Sequence, residues 1–493
     1  MVAAMAIMFL VAVLGAAMVS MLGVTSRGSL DYLRSSQSFA LAQAGLNWSM
    51  KQLAGINNWT SAGNQTGVSL GPGTFDLVLS NKVLPQTDSA TATRMDINVT
   101  GKVPGTAGAI IQRTMSQRVL KLPSASKFAL FWGLRTGNTL VLTSVTINGD
   151  FWSQGSSSMR SSNVIGGIAY RPSTETITGA GSFTTQSITW PYFSDFTGAT
   201  QTDSMPPFTS AYYTNLIAAY NAMISGSGTI NQNSNLVLSG NTITCQTFQT
   251  NTVDGSNVTI SGHGFIIASN DILLNTSGTD NRSLTISPSG GDIVFLAARN
   301  ITVNNGSAGS HPVTIASGAA SRVRMYAQSV SSTSQLIQIN NPNTAVDGAL
   351  ILAQRRIVVQ NGAQITNSTL FVNDAGSTTN NLLQVTGSGT QAGTLAGPCN
   401  LISMGRANSL PSALTITGGA SAVGFIYQND PNNSGLTSIY NNATITGTLL
   451  VNKFRGNAIS YSTITYNPSA IPDPPAEGFN GFATKKPDTW SGN

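Results

Sequence analysis

The chain holds few side chains able to do acid–base or metal chemistry. Its only histidines are His263 and His311, and its only glutamates are Glu175 and Glu477. His263 lies in "SGHGF", after Asp254 and before Asp271 and Asp292. An imidazole near carboxylates is an acid–base set, and glycosidic cleavage needs two carboxyl groups roughly 5–10 Å apart. Isolated aspartates meet that condition only if the fold stacks them, so no catalytic residue is assigned and both histidines are read as structural or loop residues. "DPNNSG" (430–435) begins like a calcium loop, but Asn441 stands where the late acidic ligand belongs, so no metal is expected. Cys245 and Cys399 have no metal-site spacing; they fit one extracytoplasmic disulfide or two separate thiols. No Gly-rich loop ends in Lys-Ser or Lys-Thr, and no cofactor is expected.

Composition sets wider bounds. With 493 residues, 41% hydrophobic and 9% charged, the chain can bury a sizeable core but has little material for charged surface helices. The net charge of +6 is scattered without a basic run, so nucleic acid is not a predicted partner.

The first 26 residues, from "MVAAMAIMFLVAVLGAAMVSMLGV" on, carry no charge until Arg27. A bilayer crossing needs about 20 apolar residues, and a cleaved secretory signal has a shorter apolar run behind a basic stretch. The apolar run thus reads as a membrane helix. Its pattern continues through Leu30, Leu33, Leu41, Ala44, Trp48 and Leu53, which predicts one helix over 1–54 whose second half packs on a domain.

The segment "RSSQSFALAQAGLNWSMKQL" (34–53), with its small-residue stripe and "AQAGL" element, resembles the type IV pilin superfamily, and within it the PilX-like and GspK-like minor pilins. The resemblance covers about the first 125 residues. It implies a basic leader removed by a prepilin peptidase, methylation at Met1, residence in the inner membrane, then assembly on a pilus platform with copies of the same chain. The filament core would be packed by Ala3, Ala4, Met5, Phe9, Ala12, Gly15, Ala16, Ala17 and Gly23. Small residues there permit close helix approach, and Gly15 and Gly23 are candidate points of local unwinding. Met5 departs from the family, most of whose major members carry Glu at the fifth position; this favours a divergent or minor subunit. An ordinary single-pass anchor is the plainer alternative.

Segments 74–80 and 94–103 alternate apolar and polar residues and, with 110–122, read as strands of a small antiparallel sheet over 55–125. Beyond residue 126 short apolar pulses recur between Gly, Asn, Ser and Thr. Ala268, Ala297, Ala327 and Ala353 fall 29, 30 and 26 residues apart, and Ile272, Ile301 and Ile357 each follow their alanine by four. A degenerate period of strand-length pulses predicts a right-handed parallel β-helix over 126–466, with Asn and Gly at its corners. The fold class is therefore mainly β.

An aromatic and helical insertion at about 190–225 interrupts the repeat. Tyr213, Leu216, Ile217, Tyr220 and Ile224 share one face of its helix, which is read as a cover over an end or side of the solenoid. The other use for its aromatics is stacking on sugars, which would make a surface glycan a partner. Gly262-His263-Gly264 resembles one motif of the polygalacturonase family, but that family's clustered aspartates and Arg-x-Lys have no counterpart here. The tail, 467–493, has prolines at 472, 474 and 475 and should leave the ladder as an extended arm; Phe479, Phe482 and Trp490 are its docking candidates, on this subunit or a neighbour.

The expected role is a structural subunit of an extracellular type IV pilus-like or type II pseudopilus-like filament. A tip adhesin of the same family and a membrane-tethered polysaccharide lyase or hydrolase are the alternatives. Because no charge precedes the apolar run, the precursor is expected to carry a short basic leader ending in Gly just before Met1. Mass spectrometry of the natural N-terminus checks this: a methylated Met1 is the expected species, and an unprocessed initiator Met1 refutes peptidase cleavage.

Overall fold

The computed structural model describes residues 2–54, 63–83, 94–105, 109–122, 128–133, 139–171, 175–187, 211–250, 257–274, 283–304, 312–318, 321–328, 336–373, 382–404, 412–429, 436–452, 454–471, 482–485 and 491–492. Asp254, His311, the 430–435 loop, the aromatic stretch 190–208, Met1, Phe479 and Trp490 lie outside them. The chain forms two compact units, one of residues 1–122 with 480–493 and one of residues 123–479.

In the first unit the helix α1 (Val2–Ala54) packs its second half on an antiparallel sheet of β1 (Gln65–Leu70), β2 (Gly73–Val83), β3 (Arg94–Pro104) and β4 (Ile110–Leu122). Phe75, Leu77, Leu79, Met95, Ile97 and Val99 alternate onto the face that receives the helix, and all are buried. The tail returns to this sheet. Residues Phe482–Lys485 pair antiparallel with β4, placing Phe482 opposite Leu122, and Ser491–Gly492 pair with it further along. The solenoid is thus a long insertion between two adjacent strands of one sheet.

The second unit is a parallel β-solenoid. The alanine beat is its register: Cys245, Ala268, Ala297, Ala327, Ala353 and Val372 pair in succession. A second column runs through Phe248, Ile272, Ile301, Ile337, Ile357 and Leu383. A third joins Ile260, Ile286, Ile315, Val346 and Ile365. These side chains are buried and belong to one continuous core. Between the second and third columns the chain turns on left-handed residues: Asn304, Asn341, Asn361 and Asn442 have φ of 55°, 85°, 55° and 63°. Asn tolerates that region because its short amide can bond locally.

Stacking order departs from chain order. The strand segments of residues 444–466 are followed in space by those of 130–148, with Leu449 opposite Leu130, Ile459 opposite Leu142 and Ile464 opposite Ile147. The stack then continues to Ile177–Ser187, whereas its opposite end is Thr229–Gln232. The solenoid is a permuted stack, and the places where the chain enters and leaves it meet within one coil.

The return path includes α2 (Ala211–Met223), which lies along the side of the solenoid. Its Tyr213 stacks on Phe371 with ring centroids 4.4 Å apart, and Tyr220 meets Tyr326 at 5.7 Å. Tyr326 donates its hydroxyl hydrogen to Asn221 Oδ1 at 2.6 Å. Seven helical residues span about 10.5 Å, close to the roughly 9.6 Å of two strand spacings. That match brings the two tyrosines onto Tyr326 and Phe371, which are separated in the ladder by Leu352. Tyr213, Ile217 and Tyr220 are buried, while Leu216 and Ile224 are half-buried. Replacing Tyr213 by Ala removes a fully buried ring and should cost about 3–5 kcal/mol. Hydrogen exchange of residues 369–372 should then accelerate; unchanged protection would mean that α2 does not cover this face.

Candidate membrane and assembly helix

Helix α1 divides by burial rather than by geometry. From Met8 to Leu22 its large apolar side chains are exposed, Phe9 at 74% and Met21 at 73%. Among the described residues it is the one helix long and apolar enough to cross a membrane, by length and composition. The apolar part, Val2 to Ser26, measures about 37 Å at 1.5 Å per residue, enough for a bilayer core of about 30 Å. Where it turns polar, Thr25 Oγ1 donates to Met21 O at 3.0 Å and Ser29 Oγ to Thr25 O at 3.0 Å, so the hydroxyls are satisfied within the helix. An apolar surface of this extent marks a site that another apolar surface covers.

Of the residues named for core packing, Phe9, Ala12, Gly15, Ala16, Ala17 and Gly23 lie on the exposed stretch. A Cβ added at Gly15 or Gly23 would meet nothing within 4 Å. Ala3, Ala4 and Met5 are helical, with side chains outside the described set.

The lower half shows what the "AQAGL" element does. Ser38, Leu41, Ala42, Gly45, Leu46 and Ser49 are buried at steps of three and four, a single helical face. At Gly45 a Cβ would lie 2.8 Å from the Phe75 ring and from Val99. At Gly101 of β3 it would lie 2.1 Å from Ser38 O, which is helix backbone. Trp48 closes edge-on against Phe75 at 5.7 Å, and Arg113 Nε donates to Ser35 Oγ at 2.8 Å. Small residues on both surfaces let helix and sheet approach closely. Leu30 and Leu33, expected on the packing face, are 41% and 54% exposed. They lie on the helix before the buried face begins at Ser38.

The solenoid residues considered for chemistry are held elsewhere. Asp292 accepts from Arg324 Nε and Nη2, each at 2.6 Å, and from the backbone NH of Arg322 at 2.7 Å. Asp271 accepts from Asn300 Nδ2 at 2.8 Å and faces Arg299 Nε at 3.7 Å. His263 is half-buried in a corner formed by Gly240, Gly290 and Gly291. Among the described residues no group of three or more His, Cys, Asp or Glu is placed to hold a metal ion. Cys245 and Cys399 are buried free thiols. Six ladder steps separate their coils, about 29 Å at 4.8 Å per step, far beyond the Cα separation of roughly 4–7 Å that a disulfide needs. Burial pushes the Cys399 thiol up to about 12.

No family model matches the chain, and no curated protein does. Among solved structures, the competence-associated pilin ComZ from Thermus thermophilus is 10% identical over 93% of this chain and 96% of that one, with a TM-score of 0.15, too low to equate the folds.

Gly101→Ala should destabilise the first unit by about 1–3 kcal/mol, because helix backbone must move to admit one methyl. Gly15→Ala should cost nothing there, since its site is open. Hydrogen exchange of β3 amides reads the difference, and equal protection in the two variants would contradict the close approach.

Proposed function

We propose that the chain is a structural subunit of an extracellular type IV pilus-like or type II pseudopilus-like filament. Copies polymerise through the apolar half of α1, which resides in the inner membrane before assembly, and the solenoid forms the outer surface. The observation that carries this reading is the continuity of α1: one helix passes without a break from a fully exposed apolar stretch to a face fixed on a sheet. A plain anchor needs only the first part. Prepilin-peptidase cleavage and methylation of Met1 follow from the same reading.

The solenoid acts as a displayed structure and not as an enzyme, a view supported by the ion-pairing of Asp271 and Asp292. Placement at the filament tip is the second reading, favoured by the size of the domain inserted between β4 and the tail strand.

Gly15→Lys tests assembly, since a charge on a helix buried in the filament core has no partner there. Electron microscopy of cells making the wild-type chain should show fibres labelled along their length by an antibody to the solenoid, and the variant should show none while keeping β3 protection. Label at fibre ends alone supports the tip reading. Membrane-bound chain without fibres, in wild type and variant alike, refutes filament formation.

A further inference from the structure

The left-handed corner between the second and third columns obeys a composition rule until its last coils. Among the described residues, its positive-φ residues are Asn or Gly through Asn304, Asn341, Asn361, Gly362, Gly387, Gly389, Gly418, Gly419, Asn441 and Asn442. Next in the stack comes Tyr461 at φ 49°, then Ser144 at 53° and Ser161 at 63°. The ladder fixes this order: Ser460 pairs with Thr143 and Ser462 with Val145, which sets Tyr461 opposite Ser144, and Thr143 pairs with Arg160, beside Ser161. On the other side the NH of Asn442 donates to Tyr461 O at 2.7 Å. A bulky residue in this region is an outlier, and such strain persists where the surrounding structure enforces it, commonly at binding sites.

Tyr461 gains nothing from burial in return. It is 58% exposed, the exposed aromatic side chain of the solenoid among the described residues. Its neighbours in the corner are polar: Asn441, Asn442 and Ser161 are exposed, Ser144 is half-buried, and Arg160 is exposed at the edge. A protein partner would seek a desolvated pocket around an aromatic anchor, which this corner lacks. An apolar ring face rimmed by amides and hydroxyls, each able to donate and accept, suits a ligand that is itself apolar on one face and hydroxylated at its rim.

We propose that the corner around Tyr461 is a carbohydrate-binding site, in which a sugar ring stacks on Tyr461 and its hydroxyls bond Asn441, Asn442, Ser144 and Ser161. The ladder spacing of about 4.8 Å sets these groups along the stack, so the ligand is a chain of sugars rather than a single one. The site is independent of filament formation, because the corner belongs wholly to the solenoid.

The test uses the full chain as detergent-solubilised monomer on an array of neutral and acidic oligosaccharides, with Tyr461→Asn and Tyr461→Phe alongside. Wild type and Tyr461→Phe should bind a common glycan. Tyr461→Asn should bind it at least tenfold more weakly while its denaturation midpoint rises, because Asn relieves the backbone. That opposition of binding and stability is something a purely structural tyrosine would not produce. Binding to no glycan on the array, or equal binding by Tyr461→Asn, overturns the proposal; neither result bears on the filament.

Discussion

Parallel strand pairing is the interaction on which the rest of this molecule depends. Each coil satisfies its backbone groups only through the coil above and the coil below, so a solenoid is stable along its length and exposed at its ends. Side chains follow the backbone: residues that pair in the ladder also stack inside it, and Ala268 over Ala297 over Ala327 over Ala353 is the visible result. Opposite them, on the outside of the same strands, Leu296, Tyr326, Leu352 and Phe371 are also buried, and the α2 tyrosines meet two of them. One face of the solenoid is therefore packed on both sides.

That constraint explains the permuted order. A solenoid read straight through has its termini at opposite ends, whereas an insertion into a hairpin needs them together. Here residues 130–148 stack on residues 444–466, so entry and exit meet. The sheet of the first unit receives both passages as neighbouring strands, Leu122 opposite Phe482. In sequence, both ends of the solenoid thus lead to strands of the unit that carries α1. The tail thereby becomes part of the sheet that fixes the helix, and backbone pairing, available to any sequence without proline, brings it there.

Strain and inertness are distributed in a telling way. The thiols are buried six coils apart, and Asp271 and Asp292 are ion-paired, so these groups serve the stack. Two exposed departures from the ordinary rules stand out among the described residues: an apolar helix surface near the start of the chain, and an aromatic residue in a left-handed corner of the solenoid. Both incur unfavourable free energy in the isolated chain.

The sequence by itself determined α1, the strands β2 to β4 and the repeating solenoid, because each is set by local periodicity: 3.6 residues in the helix, two in the strands, and the alanine beat in the coils. The apolar stretch of α1 was legible for the same reason, as was the Asn and Gly rule at the corners. The buried outer face also left a signal, since "IVFLA" and "LILA" are apolar without alternation, the mark of strands covered on both sides. Only the tertiary structure decided which coil stacks on which, that α2 covers a side rather than an end, that the tail pairs with β4, and that Tyr461 occupies a left-handed position. Leu30 and Leu33 fell on the wrong side of the boundary because periodicity gives a helix its faces but not where its partner ends. Pairing between distant strands depends on closing the chain over hundreds of residues, and no local pattern encodes that choice.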